Sequence, residues 1–294
     1  MPLARSNTIE LHYETFGPPE APPILLIMGL GSQMIRWHLD LCRALVARGF
    51  RVIRFDNRDI GRSTHCDALP LPDLRAMLTG VAPPALPYTL ETMAADSVGL
   101  LDALGIDRAH IVGASMGGAI AQIVAARYPE RTSSLTSIMS SSGNPLLPPP
   151  TPAAAAALFA PQPPARDRAS LVADAIQRFR AVASPAYPTP LAELQALFGE
   201  EYDRGFHPPG VVRQLAALLA QGDRRPLLKR IHCPTSVLHG RADPLIPWAC
   251  GEDVARNIRG ARWWPVDGMG HDFPRALTAV FVNAICAAAE APTS

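Results

Sequence analysis

The chain has little of what marks disulfide-bonded, metal-binding or nucleic-acid-binding proteins. Its 294 residues include 5 cysteines, an odd number, scattered without any C-x-x-C pair. This pattern argues against a disulfide framework and a zinc site, and it predicts reduced thiols in a cytoplasmic protein. Lys and Arg number 27 against 26 Asp and Glu, which leaves a formal net charge of +1. Since no basic stripe or acidic tail is present, we expect no nucleic-acid partner.

Long apolar runs are also missing. No stretch approaches the length of a membrane-spanning helix, and residues 1–8 lack the apolar region of a signal peptide. We therefore expect no membrane span. The length is sufficient for one large α/β domain or two small ones with a sizeable core. Nothing in the sequence indicates an oligomeric state.

Strand and helix patterns alternate along most of the chain. Residues 8–15 alternate apolar and polar side chains, which predicts a half-exposed antiparallel strand at the sheet edge. Further strands are predicted at 24–28, 51–55, 109–112, 135–139, 235–239 and 262–266. Helices are predicted at 35–48, 90–104, 118–127, 248–259 and 273–289, and residues 56–87 are expected to be rich in loops. The alternation favours a parallel sheet wrapped by helices.

The composition changes after the predicted strand at 135–139. Residues 132–165 include no charged side chain, and 8 prolines lie between Pro145 and Pro164. Helical patterns continue after Thr151 and around 171–183, 191–197 and 211–220, without a strand pattern. We expect residues 143–225 to form a helical cap inserted into a core domain of residues 1–142 and 226–294. Residues proposed to contact substrate there are Leu146, Leu147, Leu158, Phe159 and His207, with ordinary cap packing as the alternative.

Ser115 is the strongest candidate for a functional residue. It is the centre of Gly113-Ala114-Ser115-Met116-Gly117, which fits the G-x-S-x-G nucleophile elbow. A strand pattern precedes the motif and a helix pattern follows it, which is the context that the elbow requires. The glycines avoid clashes in the strained turn, and the helix N-terminus favours developing negative charge. The alternative is a serine that only caps the helix.

A nucleophilic serine needs a base, and the base needs an orienting acid. Asp243 follows one predicted strand and His271 follows the last, so both lie where parallel sheets collect functional residues. Their order after Ser115 matches the order serine, acid, histidine. Asp243 could instead cap the turn that Pro244 begins. The rival acids are Asp253, Asp267 and Asp272, and the rival histidines are His12, His38, His65, His110, His207, His232 and His239.

Two backbone N–H groups are expected to form an oxyanion hole. One should belong to Met116, directly after the nucleophile. The other should belong to Leu30, since Gly29 and Gly31 on either side allow the backbone to approach closely.

These motifs resemble the α/β-hydrolase fold superfamily over nearly the whole chain. Besides the elbow, His239-Gly240-Arg241-Ala242-Asp243 and Gly270-His271 stand where that family has its acid and histidine loops. The resemblance implies an eight-stranded, mostly parallel sheet flanked by helices, with a cap after the sixth strand. It also implies structural roles for Arg58 and Ser63. Met28-Gly29 replaces the commoner His-Gly, a version similar to small bacterial carboxylesterases of the aclacinomycin methylesterase type.

The predicted function is a serine carboxylesterase acting on small to medium apolar esters, without metal or cofactor. Serine at the elbow argues against haloalkane dehalogenase and epoxide hydrolase chemistry, which uses aspartate there. A carbon–carbon bond hydrolase of ring-cleavage products is the first alternative, although Ala114 and Leu30-Gly31-Ser32 differ from its usual motifs. Cofactor-free perhydrolase or haloperoxidase activity, and a catalytically silent small-molecule receptor, are the others.

Overall fold

The computed structural model describes residues 2–79, 85–159 and 167–291. Within this part of the chain, 8 strands form one sheet in the order β1-β2-β4-β3-β5-β6-β7-β8. They are β1 (Leu3–Ser6), β2 (Ile9–Phe16), β3 (Pro23–Ile27), β4 (Arg51–Phe55), β5 (Ala109–Ala114), β6 (Thr132–Ile138), β7 (Thr235–Gly240) and β8 (Arg262–Val266). β1 pairs antiparallel with β2 and β2 with β4, whereas all other pairs are parallel. The predicted α/β sheet is therefore confirmed.

The edge of the sheet differs from the prediction. The alternating segment 8–15 becomes β2, but it lies second in the sheet and is paired on both sides. The edge strand is β1, whose 4 residues are too few to show a clear alternating pattern. Tertiary pairing, not local pattern, decides which strand lies at the edge.

The described helices that the sequence predicts are present with shifted ends, whereas those at Leu74–Thr79 and Arg225–Leu228 were not predicted. They are α1 (Leu39–Ala47), α2 (Leu74–Thr79), α3 (Leu90–Ala103), α4 (Met116–Arg127), α5 (Pro152–Phe159), α6 (Arg168–Arg180), α7 (Leu191–Gly205), α8 (Pro208–Leu219), α9 (Arg225–Leu228), α10 (Trp248–Asn257) and α11 (Thr278–Ala289). Short 3₁₀ turns at Met34–Arg36 and Arg275–Leu277 replace the predicted first turns of two helices. His38 is the N-cap of α1, where its Nδ1 accepts the Leu41 N–H.

The core lies on both faces of the sheet. In β3, Leu25 and Ile27 pack into one apolar cluster, while Ile24 and Leu26 pack into the other. Residues of α3 and α4 cover the first face, and residues of α1 and α11 cover the second. A strand buried on both faces explains the continuous apolar run.

Helices α5 to α9 all lie between β6 and β7 in the chain. We call residues 143–225 the helical segment, and its described part contains no strand. The helical segment contributes much of the wall of a cavity above the carboxyl ends of the parallel strands. Among the described residues, no helix combines the length and apolar character needed to span a membrane.

Candidate active site

Ser115 occupies the turn between β5 and α4. Its backbone has φ 56° and ψ −121°, a conformation that L-residues rarely adopt. The turn is tight because a Cβ at Gly113 would lie 2.0 Å from the Gly117 oxygen, and one at Gly117 would lie 2.1 Å from the Ile27 oxygen. Ser140 Oγ donates a 2.8 Å hydrogen bond to the Ser115 carbonyl. Close packing of the two glycines therefore allows the strained serine to stand clear of the sheet.

The structure brings Ser115, His271 and Asp243 into one hydrogen-bonded chain. His271 Nε2 lies 2.9 Å from Ser115 Oγ, and His271 Nδ1 lies 2.7 Å from Asp243 Oδ2. The His271 backbone N–H donates a 2.7 Å hydrogen bond to the Val182 carbonyl of the helical segment. The histidine is thus held by its side chain and by its backbone, in a geometry suited to deprotonating the serine.

Asp243 combines the two roles that its sequence context suggested. Its Oδ1 accepts hydrogen bonds of 2.9 Å from the N–H groups of Leu245 and Ile246, which caps the turn after β7. Its Oδ2 faces His271, and His239 Nε2 lies 3.3 Å away. Burial alone would raise the pKa of Asp243, but the two histidines outweigh it and hold that pKa well below its usual range. Asp243 is therefore a buried carboxylate that stays ionised.

The rival acids have other partners. Asp253 accepts a hydrogen bond from Ser142, and the exposed Asp267 pairs with Arg241 at 3.0 Å. Asp272 is buried and accepts hydrogen bonds from the backbone and hydroxyl of Ser184, while its Oδ2 has no partner among the described residues. Burial raises the pKa of Asp272 to about 6.

The loop after β3 lies directly against the serine. A Cβ at Gly29 would be 3.1 Å from Ser115 Cβ, so only glycine allows this approach without displacement. Gly31 has φ 63°, and its N–H donates a 3.0 Å hydrogen bond to Gln214 Oε1 of α8. Leu30 lies between these glycines.

Met116 is the first residue of α4, so its N–H has no i−4 carbonyl within the helix. The residue before Leu30 thus touches the serine, and Met116 directly follows it.

Buried ion pairs fasten the loop after β4. Arg58 binds Asp96 with two hydrogen bonds of 2.6 and 2.8 Å, and Ser63 Oγ accepts the His12 N–H. Arg213 of α8 likewise binds Asp59 with bonds of 2.8 and 3.0 Å. These contacts are structural, and the last one joins the helical segment to the loop.

A cavity of about 1440 Å³ opens above Ser115 and His271. Leu147, Leu158 and His207 contribute to its wall. Leu146 does not, and this expectation is wrong: its side chain is 86% exposed because it projects from a turn at residues 145–147 into solvent. The side chain of Phe159 lies outside the described part of the chain. Most of the lining is aliphatic or aromatic, contributed largely by the helical segment.

A model of the alpha/beta hydrolase fold family matches residues 22–274, which is most of the chain. The chain belongs to this family. The methylesterase DnrP of Streptomyces peucetius, which acts on rhodomycin D by name, is 29% identical over 311 aligned positions that cover 99% of this chain and 98% of the relative. A pimeloyl-[acyl-carrier protein] methyl ester esterase of Chromobacterium violaceum is 31% identical over 185 positions, covering 60% of this chain and 65% of the relative.

Solved structures agree with this assignment. The enol-lactonase of Burkholderia xenovorans LB400 superposes with a TM-score of 0.73 and 26% identity, covering 97% of this chain and 98% of that one. Together, these relatives support an enzyme of the ester hydrolase type on the α/β-hydrolase fold.

Several residues of this hydrolase's site were not recognised in the sequence. Gln214 reaches the loop after β3, Ser184 binds Asp272, and Val182 holds the His271 backbone. All three belong to the helical segment and act on loops of the sheet that are remote in sequence. The only local signal is the polar pair Arg213-Gln214 inside an otherwise apolar helix pattern, and it does not reveal the partners.

Proposed function

We propose that this hydrolase is a serine carboxylesterase in which Ser115 is the nucleophile, His271 the general base and Asp243 the orienting acid. The observation that carries the proposal is the continuous chain from Ser115 Oγ through His271 to Asp243, with bonds of 2.9 and 2.7 Å. The strained backbone of Ser115 supports it, because a serine used only as a helix cap needs no such strain and here makes no side-chain cap hydrogen bond.

The proposed reaction proceeds through an acyl-enzyme. Ser115 Oγ attacks the ester carbonyl while His271 Nε2 accepts the hydroxyl proton. The carbonyl oxygen becomes negative and is bound by the N–H groups of Leu30 and Met116. The C–O bond to the alcohol then breaks as His271 returns the proton to the leaving alkoxide. Water, deprotonated by His271, then attacks the acyl-enzyme, the bond from the acyl carbon to Ser115 Oγ breaks, and His271 returns the proton to Oγ, while Asp243 stabilises the imidazolium in both halves of the cycle.

We further propose that the helical segment acts as a cap that selects bulky, largely apolar esters. A cavity of about 1440 Å³ exceeds the ~300–1,000 Å³ of ordinary small-molecule sites. Leu158 and Phe179 of the helical segment line this cavity, as do Ser115 and His271. Similarity to the rhodomycin D methylesterase favours methyl esters.

Labelling and hydrolysis together test the nucleophile. The wild-type protein and Ser115→Ala are treated with a fluorophosphonate probe and assayed with p-nitrophenyl esters of increasing acyl length. Ser115→Ala should lose labelling and turnover while keeping the wild-type melting temperature. Ser133→Ala is the matched control, because Ser133 lies on β6 and is not among the residues that line the cavity. Turnover by Ser115→Ala at the wild-type rate contradicts the proposal.

Lactone hydrolysis is a second candidate, favoured by the 26% identical enol-lactonase. A lactone is a cyclic ester and would use the same proposed residues. A substrate panel of methyl esters, lactones, amides and a ring-cleavage dienoate distinguishes these reactions. Peroxide-dependent halogenation tests for perhydrolase activity. A labelled protein that cleaves only the dienoate would favour the carbon–carbon bond hydrolase, whereas an unlabelled and inert protein would favour a receptor.

A further inference from the structure

Two histidines and an aspartate meet beside the cavity, whose wall includes His207. His65 and Asp67 belong to the loop after β4, and His207 is the N-cap of α8. One potential ligand atom of each residue lies within 4.8 Å of the other two. His65 and His207 are separated by more than a hundred residues, so no metal-binding spacing is visible in the sequence. The cluster exists only because the helical segment packs on the loop.

The side chains are close enough to converge on one ion. His207 Nε2 lies 2.8 Å from Asp67 Oδ1, and the rings of His65 and His207 stack with centroids 3.9 Å apart. The two rings are almost parallel, so binding a zinc ion at about 2.0–2.2 Å requires one ring to turn out of the stack and Asp67 to adjust with it. Asp67 can make the adjustment because its side chain is 68% exposed, and the same exposure gives the ion a route of entry.

Backbone carbonyls orient both imidazoles. His207 Nδ1 lies 3.1 Å from the Asp59 carbonyl, and His65 Nε2 lies 3.1 Å from the Gly61 carbonyl. With an ion bound, each of these ring nitrogens would carry the proton and donate it to the carbonyl. Nε2 of His207, which faces the Asp67 carboxylate in the metal-free structure, and Nδ1 of His65 would then be the ligating nitrogens. A hydrogen bond from the non-ligating nitrogen to a carbonyl is the usual second support of a metal-bound histidine.

The local charge also suits a cation. Arg213 lies 3.4 Å from Asp67 Oδ1, but its guanidinium is already paired with Asp59 through two hydrogen bonds. Two carboxylates against one guanidinium leave one negative charge beside the two imidazoles. Binding a divalent ion would replace the direct contact between Asp67 and His207.

We propose that His65, Asp67 and His207 form a binding site for a divalent transition-metal ion, with Zn²⁺ as the expected occupant. Two imidazoles and one carboxylate suit Zn²⁺ and disfavour Mg²⁺ and Ca²⁺, which prefer oxygen ligands. The ion would cross-link the loop after β4 to α8 and so fasten the helical segment beside the cavity. The site is independent of the proposed esterase chemistry.

Metal titration of the full chain, stripped with EDTA, tests the site without any activity assay. Calorimetry with ZnCl₂ should give one Zn²⁺ per wild-type chain, and His65→Ala and Asp67→Asn should each weaken binding by at least about tenfold. Zn²⁺ should raise the melting temperature of the wild type but not of His65→Ala, since an ion that binds only the folded state stabilises it. Co²⁺ serves as a spectroscopic probe, because its visible absorption reports nitrogen ligands.

His232→Ala is the matched control, because His232 is exposed and lies outside the cluster. It should bind Zn²⁺ as the wild type does. Equal affinity of wild type, His65→Ala and Asp67→Asn would show adventitious surface binding and overturn the proposal. Binding of Mg²⁺ as tightly as Zn²⁺, or no Zn²⁺ binding by a wild type of native melting temperature, would overturn it as well.

Discussion

Gln214 Oε1 accepts a 3.0 Å hydrogen bond from the backbone N–H of Gly31, although the two residues lie 183 positions apart. The Gln214 amide also donates a 2.8 Å bond to the Arg58 carbonyl, so one fully buried side chain joins α8 to two loops of the sheet. Gly31 directly follows Leu30, whose N–H we propose as an oxyanion donor. The helical segment therefore supports the backbone that faces the nucleophile.

Removing the hydrogen bond between Gln214 and Gly31 should slow the chemical step. Gln214→Leu leaves the Gly31 N–H without its acceptor and lets the Leu30 backbone shift. We expect kcat to fall by about tenfold, less than the ~10²–10³ lost when an oxyanion donor is removed outright, with KM little changed. Steady-state kinetics with a p-nitrophenyl ester measure both constants. Gln195→Leu, at an exposed position of α7, is the control, and equal kcat in the two variants would contradict the role of Gln214.

The acid of the proposed triad can be tested without breaking its loop. Asp243→Asn keeps an oxygen for the Leu245 and Ile246 N–H groups but no longer accepts properly from His271 Nδ1. We expect kcat to fall by about 10³–10⁴-fold with the fold retained, as measured by circular dichroism and kinetics. Asp267→Asn, exposed in the histidine loop, should keep wild-type activity. If kcat of Asp243→Asn falls by less than tenfold, a different residue must be the acid.

Asp272 should make stability depend on pH. Burial raises its pKa to about 6, so the folded state binds this proton more tightly than the unfolded chain, whose Asp pKa is ~3.9. The protonated carboxyl therefore contributes to the free energy of unfolding in full below pH ~4, and this contribution is lost as the pH rises through about 6. At neutral pH the free energy of unfolding is therefore lower than at low pH by about 3 kcal/mol from this group, since one pKa unit corresponds to ~1.4 kcal/mol.

Asp272→Asn should remove this dependence. The amide oxygen can still accept from Ser184, and no charge is left in the buried site. Urea unfolding at several pH values should show the variant gaining stability over the wild type as the pH rises from ~4 to ~7. Asp267→Asn controls for the loss of a carboxylate from the same loop. A constant difference between Asp272→Asn and wild type across this range would argue against the raised pKa.

The ion pair between Arg213 and Asp59 should contribute to the stability of the fold. Arg213→Met leaves the buried Asp59 carboxylate without its guanidinium, which should lower the free energy of unfolding by about 3–5 kcal/mol. The double variant with Asp59→Asn should recover part of this loss. Arg168→Met removes an exposed pair with Asp203 and should change stability little. Denaturant unfolding is measured for the wild type, both single variants, the double variant and Arg168→Met, and additive effects of the Arg213 and Asp59 changes would contradict direct pairing.

Much of the fold could be predicted from the sequence because interactions between residues that are neighbours along the chain determine it. The apolar run of β3 predicts a strand buried on both faces, and both core clusters indeed receive its side chains. The elbow motif was readable because a strand, glycines and a helix are neighbours in sequence. The edge strand β1 was missed, since 4 residues carry too little pattern. Helix α2 was missed within residues 56–87, which were expected to be rich in loops.

By itself, the sequence determined the order of strands and helices and selected Ser115, Asp243 and His271 as candidates. Only the tertiary structure decided that His271 Nε2 lies 2.9 Å from Ser115 Oγ, that Gln214 supports the Gly31 backbone, and that Leu146 points into solvent. The physical reason is that periodicity and turn chemistry act between neighbours along the chain. Contacts between the helical segment and the sheet loops depend instead on how buried polar groups find partners across the whole fold.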